Sequence, residues 1–209
     1  MRLSRRDFLE GSAATALCAA LVSVPTLSWA KSFDVEALGE AGPLGEKTLG
    51  DPSAPNTVIE YASLTCGHCR NFHTASFPHL KKEYVDTGKV YFIFRDFPLD
   101  NLAFAAAMLA RCAPEDKYFS AIDLFFEQQK NWAFTQNPLD ALKSMAKQIG
   151  FSEKTFEECL KNQEILDGLN WVRDRANTEF GVNSTPTFFI NGEQHRGALS
   201  VEELDKILG

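Results

Sequence analysis

Cys66-Gly67-His68-Cys69 stands where one hydrophobic period gives way to another, and that junction constrains the fold more than anything else in the chain. Thr57–Ser63, just before it, reads as a strand. From Arg70 onward the apolar residues Phe72, Ala75, Phe77, Leu80 and Tyr84 recur at helical spacing. A C-x-x-C between a strand and a helix puts its first sulfur at a helix N-terminus. Free backbone N–H groups and the positive end of the helix dipole stabilise a thiolate there. The second thiol is close enough to close a small disulfide. The local chemistry is therefore thiol–disulfide exchange.

The rest of the chain extends that junction into a topology. Lys31–Asn56 reads as an extended arm with an edge strand near Glu46–Leu49. The helix that starts at Cys66 should run to about Asp86, kink at Pro78 and stop at Gly88. Val90–Phe94 is a second strand, so the unit is βαβ with parallel, buried strands. Asn101 to about Phe180 reads as helix throughout, in the segments Leu102–Cys112, Tyr118–Gln129, Leu139–Ile149, Ser152–Leu160 and Gln163–Phe180. Thr187–Ile190 restores strand character, Asn191-Gly192 marks a hairpin turn to Gln194–Ala198, and Val201–Leu208 is a closing helix. The expected class is α/β: a thioredoxin-like fold, residues 51–100 and 181–209, with an all-helical domain, residues 101–180, inserted between its halves. Residues 31–50 form the arm.

Residues 1–30 read as an export signal. Ser4-Arg5-Arg6-Asp7-Phe8-Leu9 follows the twin-arginine pattern, an Ala-rich run leads to Leu27, and Ser28-Trp29-Ala30 suits cleavage after Ala30. An ordinary secretory signal is the alternative; a retained anchor would need roughly 20 apolar residues. The expected location is the periplasm. A net charge of −7 argues against nucleic acid and anionic membrane surfaces as partners. Beyond Ala30 lie Cys66, Cys69, Cys112 and Cys159, an even set that suits an oxidising compartment.

Several stretches together resemble the exported DsbA-type thiol oxidases of the thioredoxin superfamily. They are the C-G-H-C tetrad with Asn71-Phe72-His73, Gly88-Lys89-Val90, Phe94–Leu99, and Gly181–Gly192 with its Thr185-Pro186. The likeness covers about residues 50–209. It implies oxidation of thiols in unfolded or reduced exported proteins and reoxidation by a quinone-linked membrane partner, without a flavin, metal or nucleotide cofactor. Gly67 and Thr185 are also found among disulfide isomerases, so an isomerase or reductase is the alternative. The arm is too short for the separate dimerisation domain of the bacterial isomerases. A zinc- or peptide-binding protein is the reading from a different class; Cys66, Cys69 and His73 could supply three of four zinc ligands.

Each site residue then has an expected part. Cys66 is the exposed nucleophile, its thiolate accepting the N–H groups of His68 and Cys69. Cys69 is the buried resolving thiol. His68 tunes the pair through its charge. Glu60 lies in an apolar strand, where a carboxylate is costly unless paired or protonated. The resemblance places it beneath Cys69, moving protons to and from that thiol; a surface position or a lysine partner is the plain alternative. The resemblance also implies a cis Thr185-Pro186 bond facing Cys66 and offering its backbone to an extended substrate. Cys112 and Cys159 fall on helices of the insert, either bridged or separately buried; a bridge would add roughly 4 kcal/mol. His73, His79 and His195 receive no role, and Trp132, Trp171 and the phenylalanine stripes read as core.

Overall fold

The computed structural model describes residues 33 and 35–209. The expected signal segment, its cleavage point at Ala30 included, lies outside the described residues. The first element is a short helix, α1 (Val35–Gly39), followed by β1 (Lys47–Leu49), β2 (Asn56–Ala62) and α2 (Gly67–Ala75). After α2 come α3 (Phe77–Leu80), a π-helical turn at Lys81–Val85, and β3 (Val90–Asp96). The helical stretch comprises α4 (Asn101–Cys112), α5 (Tyr118–Glu127), α6 (Gln129–Trp132), α7 (Pro138–Gln148), α8 (Glu153–Leu160) and α9 (Gln163–Thr178). β4 (Thr187–Ile190), β5 (Glu193–Arg196) and α10 (Val201–Leu208) complete the chain.

The strands form one mixed sheet in the order β1-β3-β2-β4-β5. β2 and β3 run parallel, as the βαβ pattern requires, and the remaining neighbours are antiparallel. Asn191 and Gly192 both take positive φ, 51° and 87°, which lets a two-residue turn join β4 to β5.

Strand alternation divides the core. Val58 and Ala62 of β2 face one side with Phe92, Phe94 and Phe188, and there meet Phe72 of α2 and Phe125 and Phe126 of α5. Ile59, Tyr61, Ile93 and Phe189 face the other side and meet Val172 and Ala176 of α9 and Leu38 of α1. Glu60, between Ile59 and Tyr61, therefore points to the α2 side, and it is fully buried.

The long helix expected from Cys66 to Asp86 is divided rather than bent. Pro78 has no N–H to return to the preceding turn, so α2 stops at Ala75. The Ser76 N–H still reaches the Phe72 carbonyl at 2.9 Å, and Leu80 N–H reaches Ser76 at 3.0 Å, so the two pieces remain joined. α1 was not anticipated; it sets Leu38 into the core at 1 % exposure. Trp171, read as core, is 40 % exposed, with the Arg175 guanidinium 5.1 Å from its ring centre.

Buried charges tie the arm to the sheet. Arg95 Nη1 donates to Tyr61 Oη at 2.7 Å, and Arg95 also pairs with Glu46 next to β1. Arg111 pairs with Asp96 at 2.8 Å and donates to the Leu44 and Gly45 carbonyls. Cys112 and Cys159 are bonded, joining α4 to α8 with their Cα atoms 6.1 Å apart.

Candidate active site

Cys66 is the N-cap residue of α2: its backbone is extended (φ −81°, ψ 121°), and helical geometry begins at Gly67. Its sulfur is part-exposed, whereas Cys69, one turn on, is fully buried; both are free thiols. This difference in depth separates their acidities. The Cys69 thiol donates to Cys66, the Thr185 side chain and the N–H groups of Cys69 and His68 add to that, and together they outweigh burial to bring Cys66 down to about 5. Burial drives Cys69 the other way, well above the ordinary thiol range, reinforced by the hydrogen bond it gives Cys66 and by the Glu60 charge. At neutral pH the first sulfur is an anion and the second keeps its proton.

The loop entering α2 is held from both sides. Cys66 N–H donates to the Ser63 carbonyl at 3.0 Å. Thr65 Oγ1 donates to Asp100 at 2.7 Å, and the same carboxylate caps α4 through Ala103 N–H. The buried amide of Gln129, at the start of α6, donates to the Leu64 and Cys66 carbonyls at 2.8 and 3.0 Å. Nothing in the local sequence pattern marks Gln129, because its partners lie more than sixty residues away in the chain.

Thr185-Pro186 is a cis peptide bond. Cys66 Sγ lies 3.3 Å from the Thr185 carbonyl, to which it donates as a thiol. As a thiolate it has no proton to give. The Thr185 hydroxyl, buried and without a hydrogen-bond partner among the described residues, is then the group free to donate.

Glu60 is paired, and its partner is neither solvent nor a lysine. His73 Nε2 lies 2.9 Å from Glu60 Oε2, with both side chains almost fully buried. The His73 ring stacks on Phe126, with centres 4.2 Å apart. Sequence reasoning passed over His73, yet a signal was present. It stands four residues after Cys69, on the same helical face, above a strand carboxylate in need of a partner. His68 is exposed, and its backbone N–H is one of the groups that lower the Cys66 thiol. Among the described residues no cluster of three or more His, Cys, Asp or Glu side chains is arranged to hold a metal ion.

The sheet order, the cysteine pair at a helix start and the cis-proline loop beside it define a dithiol protein of thioredoxin fold. The family model described as thioredoxin matches residues 44–209, and the twin-arginine signal-sequence model matches residues 2–22. The chain is 34 % identical over 155 residues to a Rickettsia conorii protein named as a protein-disulfide oxidoreductase, a match covering 71 % of this chain and 54 % of that one. The chain thus spans about half the length of the Rickettsia relatives it matches. The alpha-DsbA1 crystal structure from Wolbachia pipientis is 33 % identical, with a TM-score of 0.76 and coverage of 84 % of this chain and 94 % of that one. A structure titled protein-disulfide isomerase from Novosphingobium aromaticivorans is 25 % identical, with a TM-score of 0.69 and coverage of 80 % and 96 %. This chain belongs to the thioredoxin family, in its DsbA-type branch. Its twin-arginine leader marks it for export to the periplasm.

Proposed function

We propose that this chain oxidises thiols of exported proteins through the Cys66–Cys69 pair, with residues 101–180 acting as an inserted helical domain that buttresses the site. The observation that carries the reading is the opposed acidity of the two sulfurs, Cys66 near 5 and Cys69 well above the usual range. A substrate thiolate attacks Cys66 Sγ of the disulfide, forming a mixed disulfide. Cys69 leaves as a thiolate and takes up one proton, for which the buried Glu60–His73 pair is the proposed source. A second substrate thiolate attacks the substrate sulfur of the mixed disulfide. Cys66 departs as the stabilised anion, and the substrate leaves with its new disulfide. A stable leaving thiolate favours this direction.

Thr185 offers its hydroxyl to the Cys66 anion, and the Thr185-Pro186 backbone pairs with an extended substrate segment as an added strand. The reduced pair then needs an oxidant, for which a quinone-linked membrane protein is the partner proposed. A disulfide isomerase or reductase is the second reading, favoured by the C-G-H-C tetrad and by likeness to a protein so titled. Equilibrium titration of the pair against glutathione, alongside a scrambled-substrate assay, separates the two. Cys66→Ser should abolish thiol oxidation, and oxidation persisting in that variant would overturn the mechanism.

A further inference from the structure

A groove of about 400 Å³ opens beside the cysteine motif. His68, Arg70 and Asn71 of α2 line one side, and Gln129, Lys130 and Phe134 line the other. No aspartate or glutamate is on its walls, although the chain carries a net charge of −7. Several cations elsewhere are engaged by carboxylates: Lys81 by Asp86, Arg95 by Glu46, Arg111 by Asp96, Lys143 by Glu153 and Arg175 by Glu179. Arg70 and Lys130 form no ion pair among the described residues, and Arg70 Nε is buried without an acceptor. Phe134, at 65 %, is the most exposed of the large apolar side chains described.

A surface that is basic in an acidic chain, has an unpaired guanidinium and ends in a bare aromatic ring is complementary to an acidic, part-apolar segment. Its position decides which segment. The groove begins at the residues directly after Cys66, so a substrate whose cysteine sits on Cys66 lays its neighbouring residues, about 3.3–3.6 Å apart along an extended chain, across it. We propose that this groove selects substrate cysteines flanked by a carboxylate, with an apolar neighbour set against Phe134. The guanidinium fork of Arg70 suits a carboxylate, and the positive end of α2 adds to the attraction. The largest influences on the Cys66 thiol come from Cys69, Thr185 and His68 rather than from Arg70 or Lys130, so selection acts chiefly on binding.

This inference rests on the thiol-oxidase reading and is tested on the oxidised full-length protein. Two pentapeptides are compared, each with a central cysteine and one leucine, one flanked by glutamates and the other by lysines. Rates of mixed-disulfide formation are expressed per peptide thiolate, since the flanking charges also shift the peptide's own thiol. The glutamate peptide should react about fivefold faster at low salt, the preference shrinking as salt rises. Lys130→Glu should reverse the preference with the Cys66 titration unmoved, and Phe134→Ser should slow both leucine-bearing peptides. Equal per-thiolate rates in the unaltered protein, or a Lys130→Glu effect identical for both peptides, would overturn the selection. Failure to oxidise either peptide would instead bring down the underlying oxidase reading.

Discussion

If Cys66 is an anion in the folded protein, the stability of the reduced form must carry its titration. The perturbation is pH, applied in parallel to the reduced protein and to the Cys66–Cys69 disulfide form, which has no thiol to titrate. Folding lowers the Cys66 pKa from an ordinary 9.0 to about 5. A group depressed on folding contributes stability that is complete above its unfolded pKa and lost as pH falls through its folded one. The contribution should therefore be absent below about pH 5, grow through neutrality and level off near pH 9. Two pH units above the folded value, at pH 7, it reaches at most about 2.7 kcal/mol. The sulfur is part-exposed and screened, so about 1.5 kcal/mol is the expected size. For a two-electron couple that corresponds to roughly 30 mV toward the oxidising side. Urea unfolding of both forms between pH 4 and 8 measures it, and keeps below the range where Cys69 ionises. A difference between the two forms that stays flat over that range would refute the assignment of the anion to Cys66.

Other substitutions test the supporting groups. Thr185→Val removes the hydroxyl available to the thiolate and should raise the Cys66 pKa by about one pH unit, read from thiolate absorbance; an unmoved titration would show that the hydroxyl takes no part. His73→Phe leaves the Glu60 carboxyl buried without its partner and should cost about 2–4 kcal/mol in urea, much of it regained in the Glu60→Gln, His73→Phe double variant. Additive losses would mean the two side chains do not act as a pair. Replacing Cys112 and Cys159 together by serine should cost about 2–4 kcal/mol with peptide oxidation unchanged, because that bridge lies in the helical layer. A large loss of turnover in the folded double variant would connect the bridge to catalysis.

The parts of the fold visible in the sequence are those written in local periodicity. The strand–helix–strand order around Cys66, the Asn191-Gly192 hairpin and the Ser152 cap each depend on residues within a few positions of one another. The division of the long helix at Ser76 was harder to place, because a proline interior to an apolar period can bend a helix or end it. Which it does depends on what the freed turn packs against, here Phe77 against Phe72 and Phe92. α1 carries too few residues to show a period, and it is held by Leu38 burying itself under strands contributed from elsewhere.

The site divides along the same line. Cys66, Cys69 and Thr185-Pro186 were legible because short motifs carry them. Gln129 was not, because its partners lie more than sixty residues away in the chain; His73 was passed over although its spacing from Cys69 carried a signal. Glu60 shows how far burial alone can be pushed. A carboxylate between Ile59 and Tyr61 announces a need for a partner, but two elements could meet that need: a neighbouring strand or the helix above. The alternation of β2 turns Glu60 toward α2, and one turn beyond Cys69 that helix presents a histidine. The same geometry that pairs Glu60 with His73 brings the carboxylate near enough for its charge to act on the resolving thiol. Removing either member should therefore alter Cys69 more than Cys66, whose donors all belong to the helix start and the Thr185 loop.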